Sequence, residues 1–236
     1  MSGWARKVFW KEVSVRQGDA GFVVLLDGHL LRTPAKAPLA LPSHALAELV
    51  AGEWRAQAGE IRPETMPATR SANVAIDKLR ARKGEVAALV AAYGETDLLC
   101  YRASTPPALR ARQNAAWDPL LTWAAGRYGL EWRVVEGVMP ATQPATTLAA
   151  LRTEVARFSA FELAALHDLV AMTGSLVIGL AAADEVGEID ALWRASCIDE
   201  QWQEEQWGRD AEAAQAAMLK RRAFHDAARF LHACRS

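Results

Sequence analysis

Apolar and polar positions change rhythm along this chain, short and alternating at the front, helical thereafter. Residues 8–15 are rich in β-formers and partly alternate, which predicts a strand. Gly18-Asp19-Ala20-Gly21 punctuates a turn, residues 22–26 are a short apolar run, and Asp27-Gly28 is the strongest hairpin signal present. Residues 29–33 read as the returning strand, and Pro34 and Pro38 bound a loop before Leu39-Ala40-Leu41. Ser43 then has the side chain of a helix N-cap, and residues 45–57 follow with Leu46, Leu49, Val50 and Trp54 spaced to face the strands. The two Pro/Gly-flanked strands at the front cannot bury themselves alone and need that helix.

Residues 59–67 are punctuated by Pro, and beyond them helical composition dominates. The fold class expected is α+β: a small α+β domain over residues 1–67 and a larger, mainly helical domain over 68–236. Helices are expected at 69–92, weakened at Gly84, and at 107–128, 146–157, 161–183, 188–208 and 210–234. Short extended pieces are expected at 98–101 and 131–135.

The 188–208 stretch carries the most unusual pattern. Ten acids and only two Arg fall between Asp184 and Glu212, interleaved with Trp193, Trp202 and Trp207. Read as one continuous helix at about 100° per residue, Ile189, Trp193, Cys197, Glu200, Glu204 and Trp207 share a face, with Trp202 opposite. A surface helix keeps carboxylates off its apolar stripe. Such a helix therefore either buries paired acids or offers them to a partner.

Composition narrows the function. Hydrophobic content of 51% with 23% charged residues is globular, and a net charge of -1 gives no sign of a nucleic-acid binder. Cys100, Cys197 and Cys234 are far apart and lack CxxC spacing, which argues for a reducing compartment and against structural zinc. The longest nearly apolar run, residues 169–183, is too short to span a bilayer and reads as a buried helix. The N-terminus shows neither a secretion signal nor an Arg/Ser-rich presequence.

Catalytic motifs fail one by one. Gly174 and Gly179 have P-loop spacing, but Leu180-Ala181 stands where Lys-Ser/Thr must follow. G-x-G-x-x-G, G-x-S-x-G and H-E-x-x-H are all missing. Neither Glu200 nor Glu204 has His three residues on, so no di-iron bundle is indicated. No catalytic residue, metal site, cofactor or bound nucleotide is expected. Trp54, His167 and Asp168 read as structural anchors, His167 as a satisfied core histidine. The enzymatic alternative is a helical pocket joining His167 and Asp168 to Glu200 and Glu204, where burial beside indoles raises a carboxylate pKa.

Many short stretches together resemble one family. They include Phe9-Trp10-Lys11-Glu12-Val13, Leu26-Asp27-Gly28, Thr33-Pro34-Ala35-Lys36, Leu41-Pro42-Ser43, Glu53-Trp54, Met66-Pro67 with Thr69-Arg70 and Asn73, and residues 93–102. Further on come Trp117-Asp118-Pro119-Leu120, residues 161–168, residues 173–177, and Asp199-Glu200-x-Trp202-Gln203-x-Glu205-x-Trp207-Gly208. In this order the chain resembles, over nearly its whole length, the F1-ATPase assembly chaperones that act on the α subunit, in their alphaproteobacterial form. The resemblance implies an N-terminal α+β domain, a C-terminal helical domain, and a function without catalysis. That function is to hold the unassembled F1 α subunit, prevent its aggregation and release it to the β subunits. Mitochondrial members begin with a presequence, so the expected location is the bacterial cytoplasm. Acids interleaved with Trp suit client binding, by electrostatic steering plus apolar anchors. The client-contact residues expected are Glu200, Gln203, Glu204, Trp207, Asp210 and Glu212.

Overall fold

Local signals decide the front of the chain. The computed structural model describes residues 7–137, 139–208 and 210–236. Strand β1 (Val13–Gly18) pairs antiparallel with β2 (Gly21–Leu26), Val15 opposite Val24. The turn between them requires glycine: Gly21 has φ +125, and a Cβ there would stand 2.4 Å from the Leu41 carbonyl oxygen. Asp27 (φ 48) and Gly28 (φ 79) form the expected positive-φ hairpin turn into β3 (His29–Leu30). The Asp27 carboxylate also accepts the backbone N–H groups of Lys11 and Glu12 at 2.9 and 2.8 Å. Strand β1 begins at Val13 and not at residue 8, with Asp27 N–H still donating to the Glu12 carbonyl at 3.0 Å just beyond its end. Strand β4 (Ala40–Leu41) pairs with β2 through Phe22 and Val23, completing a four-stranded sheet.

Helix α1 (His44–Arg55) covers this sheet and is capped as expected, the Ser43 hydroxyl accepting from Leu46 N–H at 3.0 Å. Its buried residues Leu46, Ala47, Val50 and Ala51 keep one helical stripe against the strands. The Glu53 carboxylate of α1 then caps α2 (Pro67–Val74), accepting from Ala68 N–H at 2.6 Å, Thr69 N–H at 2.8 Å and the Thr69 hydroxyl at 2.6 Å. Three bonds to an anion at a helix N-terminus satisfy donors that otherwise lack partners.

The single helix expected over 69–92 is in fact α2, a π-turn at Ala75–Leu79, and α3 (Arg80–Ala92) with non-helical angles at Arg82. Gly84 is not the weak point. Helix α4 (Pro107–Tyr128) and α5 (Ala145–Arg157) match their expected spans closely. A two-stranded parallel pair, β5 (Tyr101–Arg102) with β6 (Val135–Glu136), replaces the two extended pieces.

The apolar run at 161–183 is not one helix. It divides into α6 (Ala160–Thr173) and α7 (Leu176–Ala183) at Gly174, whose φ of +68 ends α6. Ser175 caps α7 by accepting from Ile178 N–H at 3.0 Å. Buried Asp97 accepts from the Ser175 hydroxyl at 2.7 Å and from Val177 N–H at 3.0 Å. Every residue of α7 is buried. The chain continues through α8 (Ile189–Ser196), α9 (Ile198–Trp207) and α10 (Ala211–Arg235).

Backbone contacts group the chain into two compact units. The first takes the chain up to Lys83 with Ser159–Ala165 and Arg229–Ser236; the second is Gly84–Phe158 with Leu166–Ala228. A division at residue 67 and this grouping are different partitions. Within the first unit, Arg235 pairs with Glu162 at 2.7 Å and the Arg80 guanidinium lies 5.5 Å from the Phe161 ring centroid. No helix of the described residues is long and apolar enough to cross a membrane.

Candidate client-binding surface

The acid-rich stretch is bent where a continuous helix was expected. Cys197 leaves helical geometry (φ -109, ψ 19) between α8 and α9. The cause is local: the Ser196 hydroxyl donates back to the Trp193 carbonyl at 2.8 Å, and Cys197 N–H turns to the Arg194 carbonyl. Both bonds compete with the regular ladder. The shared face of Trp193, Glu200, Glu204 and Trp207 is therefore corrected. Trp193 is buried, its ring 5.6 Å from that of Phe224 on α10, whereas Trp207 is 80% exposed.

Within α9 the pattern becomes simple. Ile198, Trp202 and Glu205 lie along one side, with Asp199 flanking it. Ile198 is buried, Asp199 accepts from the Gln113 side chain at 2.7 Å, and the Arg112 guanidinium stands 5.0 Å from the Trp202 ring centroid. Arg112 also makes a bidentate pair with Glu205 at 2.8 and 2.9 Å. That pairing holds the Glu205 carboxyl below the usual carboxylate range. The opposite side carries Glu200, Gln203, Glu204 and Trp207, all exposed.

Neighbouring acids divide into two groups. Asp184 pairs with Arg127 at 3.2 Å and accepts from the Tyr128 hydroxyl at 3.1 Å. Asp190 binds Arg221 at 2.9 Å and His225 at 2.6 Å; the Arg221 bonds first, then that of His225, depress its pKa. Asp210 caps α10, accepting from Ala213 N–H at 2.7 Å, and remains exposed. Glu200, Glu204 and Glu212 make no ion pair among the described residues and face solvent. Part of the acidic run is thus paired structure, and part has no ion-pair partner among the described residues.

The expected anchors fare differently. Trp54 is half-buried against Trp10, ring centroids 5.1 Å apart, with its Nε1 buried and unbonded. His167 is no core histidine. His167 and Asp168 are 50% and 52% exposed on α6 and bond each other at 3.2 Å, which raises the His167 pKa. They stand on the outward side of a helix whose Leu163, Leu166, Leu169 and Val170 point inward. No hydrogen bond joins them to Glu200 or Glu204 among the described residues. None of the described His, Cys, Asp and Glu residues group as a metal site.

Sequence reasoning missed Arg112 and Gln113. They lie 93 and 86 residues from their partners Glu205 and Asp199, and neither carries a local signal.

Residues 7–125 match the family model described as ATP12 chaperone protein. The crystal structure of Atp12 from Paracoccus denitrificans is 45% identical, with a TM-score of 0.94 and 98% of each chain covered. An aspartate-to-lysine mutant of the same bacterium's Atp12p gives 44% identity and a TM-score of 0.95, over 99% of this chain and 100% of that one. A structure from Agrobacterium tumefaciens, described as a candidate chaperone, gives 40% and 0.91, over 95% of this chain and 85% of that one. The mitochondrial protein atp12 of Schizosaccharomyces pombe is 23% identical over 212 residues, 85% of this chain and 73% of that protein.

Proposed function

The chain belongs to the ATP12 chaperone family, and on that premise we propose that its client is the unassembled F1 α subunit, held by the outer face of α9. It is an assembly chaperone of F1-ATPase and not an enzyme. The enzymatic alternative built on His167, Asp168, Glu200 and Glu204 has no support in this family.

A free ring subunit exposes apolar and charged faces that its neighbours normally cover. One observation carries the assignment of the face: Glu200, Gln203, Glu204 and Trp207 form a continuous exposed row with an indole at its end. Exposed Trp is costly to leave in water and is enriched where interfaces concentrate binding energy. Carboxylates with no ion pair among the described residues stand beside it, where they steer a basic surface and reject acidic ones. Asp210 and Glu212 extend the same charge beyond Gly208. Affinity must remain moderate, because the β subunit displaces the chaperone when the ring closes. We place its work in the bacterial cytoplasm, a reading that the bacterial origin of the Paracoccus and Agrobacterium relatives supports.

Charge reversal tests the face. Glu204→Lys weakens capture of isolated F1 α subunit about tenfold or more, since a like charge replaces an attraction at a desolvated contact. Far-UV CD and melting temperature stay unchanged, because Glu204 bonds no described side chain. Capture equal to that of the parent protein removes α9 from the client surface.

A further inference from the structure

Helix α9 is unusually dependent on polar contacts for its position. It has ten residues, of which only Ile198 is buried. A helix of that length does not stand alone in water, so neighbours must fix it. Two consecutive residues of α4 supply polar contacts of this kind. Gln113 is almost wholly buried, and its Oε1 accepts from Ala103 N–H at 2.7 Å. That bond fixes the amide so that its Nε2 points at Asp199. Arg112 grips the next two turns, covering the Trp202 ring and forking onto Glu205. A planar fork of this kind sets orientation as well as distance, which a lysine ammonium cannot do.

We infer that Arg112 is a positioning residue for client capture: it clamps the inner side of α9 and so sets the rotation of Glu200, Gln203, Glu204 and Trp207. The inference rests on the outer face of α9 being the client surface. A roll of α9 by one residue, about 100°, would carry all four outer side chains off that direction together. Exposed ion pairs contribute little to global stability. The clamp therefore governs where α9 points far more than whether the protein folds.

The test measures three quantities on the full-length chain: capture of isolated F1 α subunit, amide exchange through α9, and melting temperature. Arg112→Ala is expected to weaken capture about three- to tenfold, corresponding to the loss of one well-formed charged contact. Exchange in α9 rises before any client is added, while melting moves by only a few degrees. Glu205→Gln, a milder change at the other end of the same clamp, shows the same pattern should Arg112→Ala fold poorly. The swapped pair Arg112→Glu with Glu205→Arg restores capture. Full capture by Arg112→Ala, or weakened capture without faster exchange in α9, overturns the positioning role. Glu204→Lys separates the two claims, since it leaves α9 exchange at the parent level. If Glu204→Lys captures the α subunit normally, the client surface itself is misplaced.

Discussion

Asp97 is a fully buried carboxylate whose charge is never used outward. It bonds the Ser175 hydroxyl and the N–H groups of Leu99 and Val177, joining the turn before β5 to the start of α7. Desolvation outweighs these bonds and pushes its pKa up to about 6 from the ordinary 3.8. The native state therefore holds this proton more tightly than the unfolded chain does. Its contribution is fully present below pH 3.8 and is lost as pH rises towards about 6. Asp97→Asn removes that dependence and turns an amide donor towards one of the N–H groups, costing about 1–3 kcal/mol. Urea denaturation at pH 5 and pH 7 measures it: the advantage of the parent protein over Asp97→Asn is larger at pH 5. An equal advantage at both values contradicts a raised pKa.

Elements joined by neighbouring residues were legible in the sequence, and those set by distant ones were not. The Asp27-Gly28 turn and the Ser43 cap are short-range chemistry, and both stand where expected. The breaks at Gly174 and Cys197 lay inside apolar or helix-favouring runs whose composition overrode a single glycine or serine signal. The half-exposed His167 escaped for a related reason: the apolar composition of the 161–183 stretch hides the outward side on which it stands. Arg112, which holds α9, could not be found at all without the fold. Glu53 shows the same limit on a useful residue, since its motif with Trp54 was noticed but its cap on α2 was not. Glu53→Ala leaves the Ala68 and Thr69 donors unpaired, which costs roughly 1–3 kcal/mol. The urea midpoint falls accordingly with an unchanged slope. A midpoint equal to the parent's would mean that water replaces the carboxylate without loss.

At the scale of the whole molecule, net charge is only -1, yet the acids are gathered around α8 and α9 and the Lys220-Arg221-Arg222 run lies on α10. Such a distribution steers partners by local field and leaves the overall charge near zero. The family accounts for the absence of any catalytic motif: a holding chaperone needs a matched surface and reversible contacts, and breaks no bond. Light scattering by isolated F1 α subunit, diluted from denaturant with and without equimolar chaperone and no nucleotide, tests this most directly. The expected result is suppressed aggregation of the α subunit, reversed by added β subunit, and greatly reduced protection by Glu204→Lys. Aggregation of the α subunit that proceeds unchanged beside the chaperone would contradict the account.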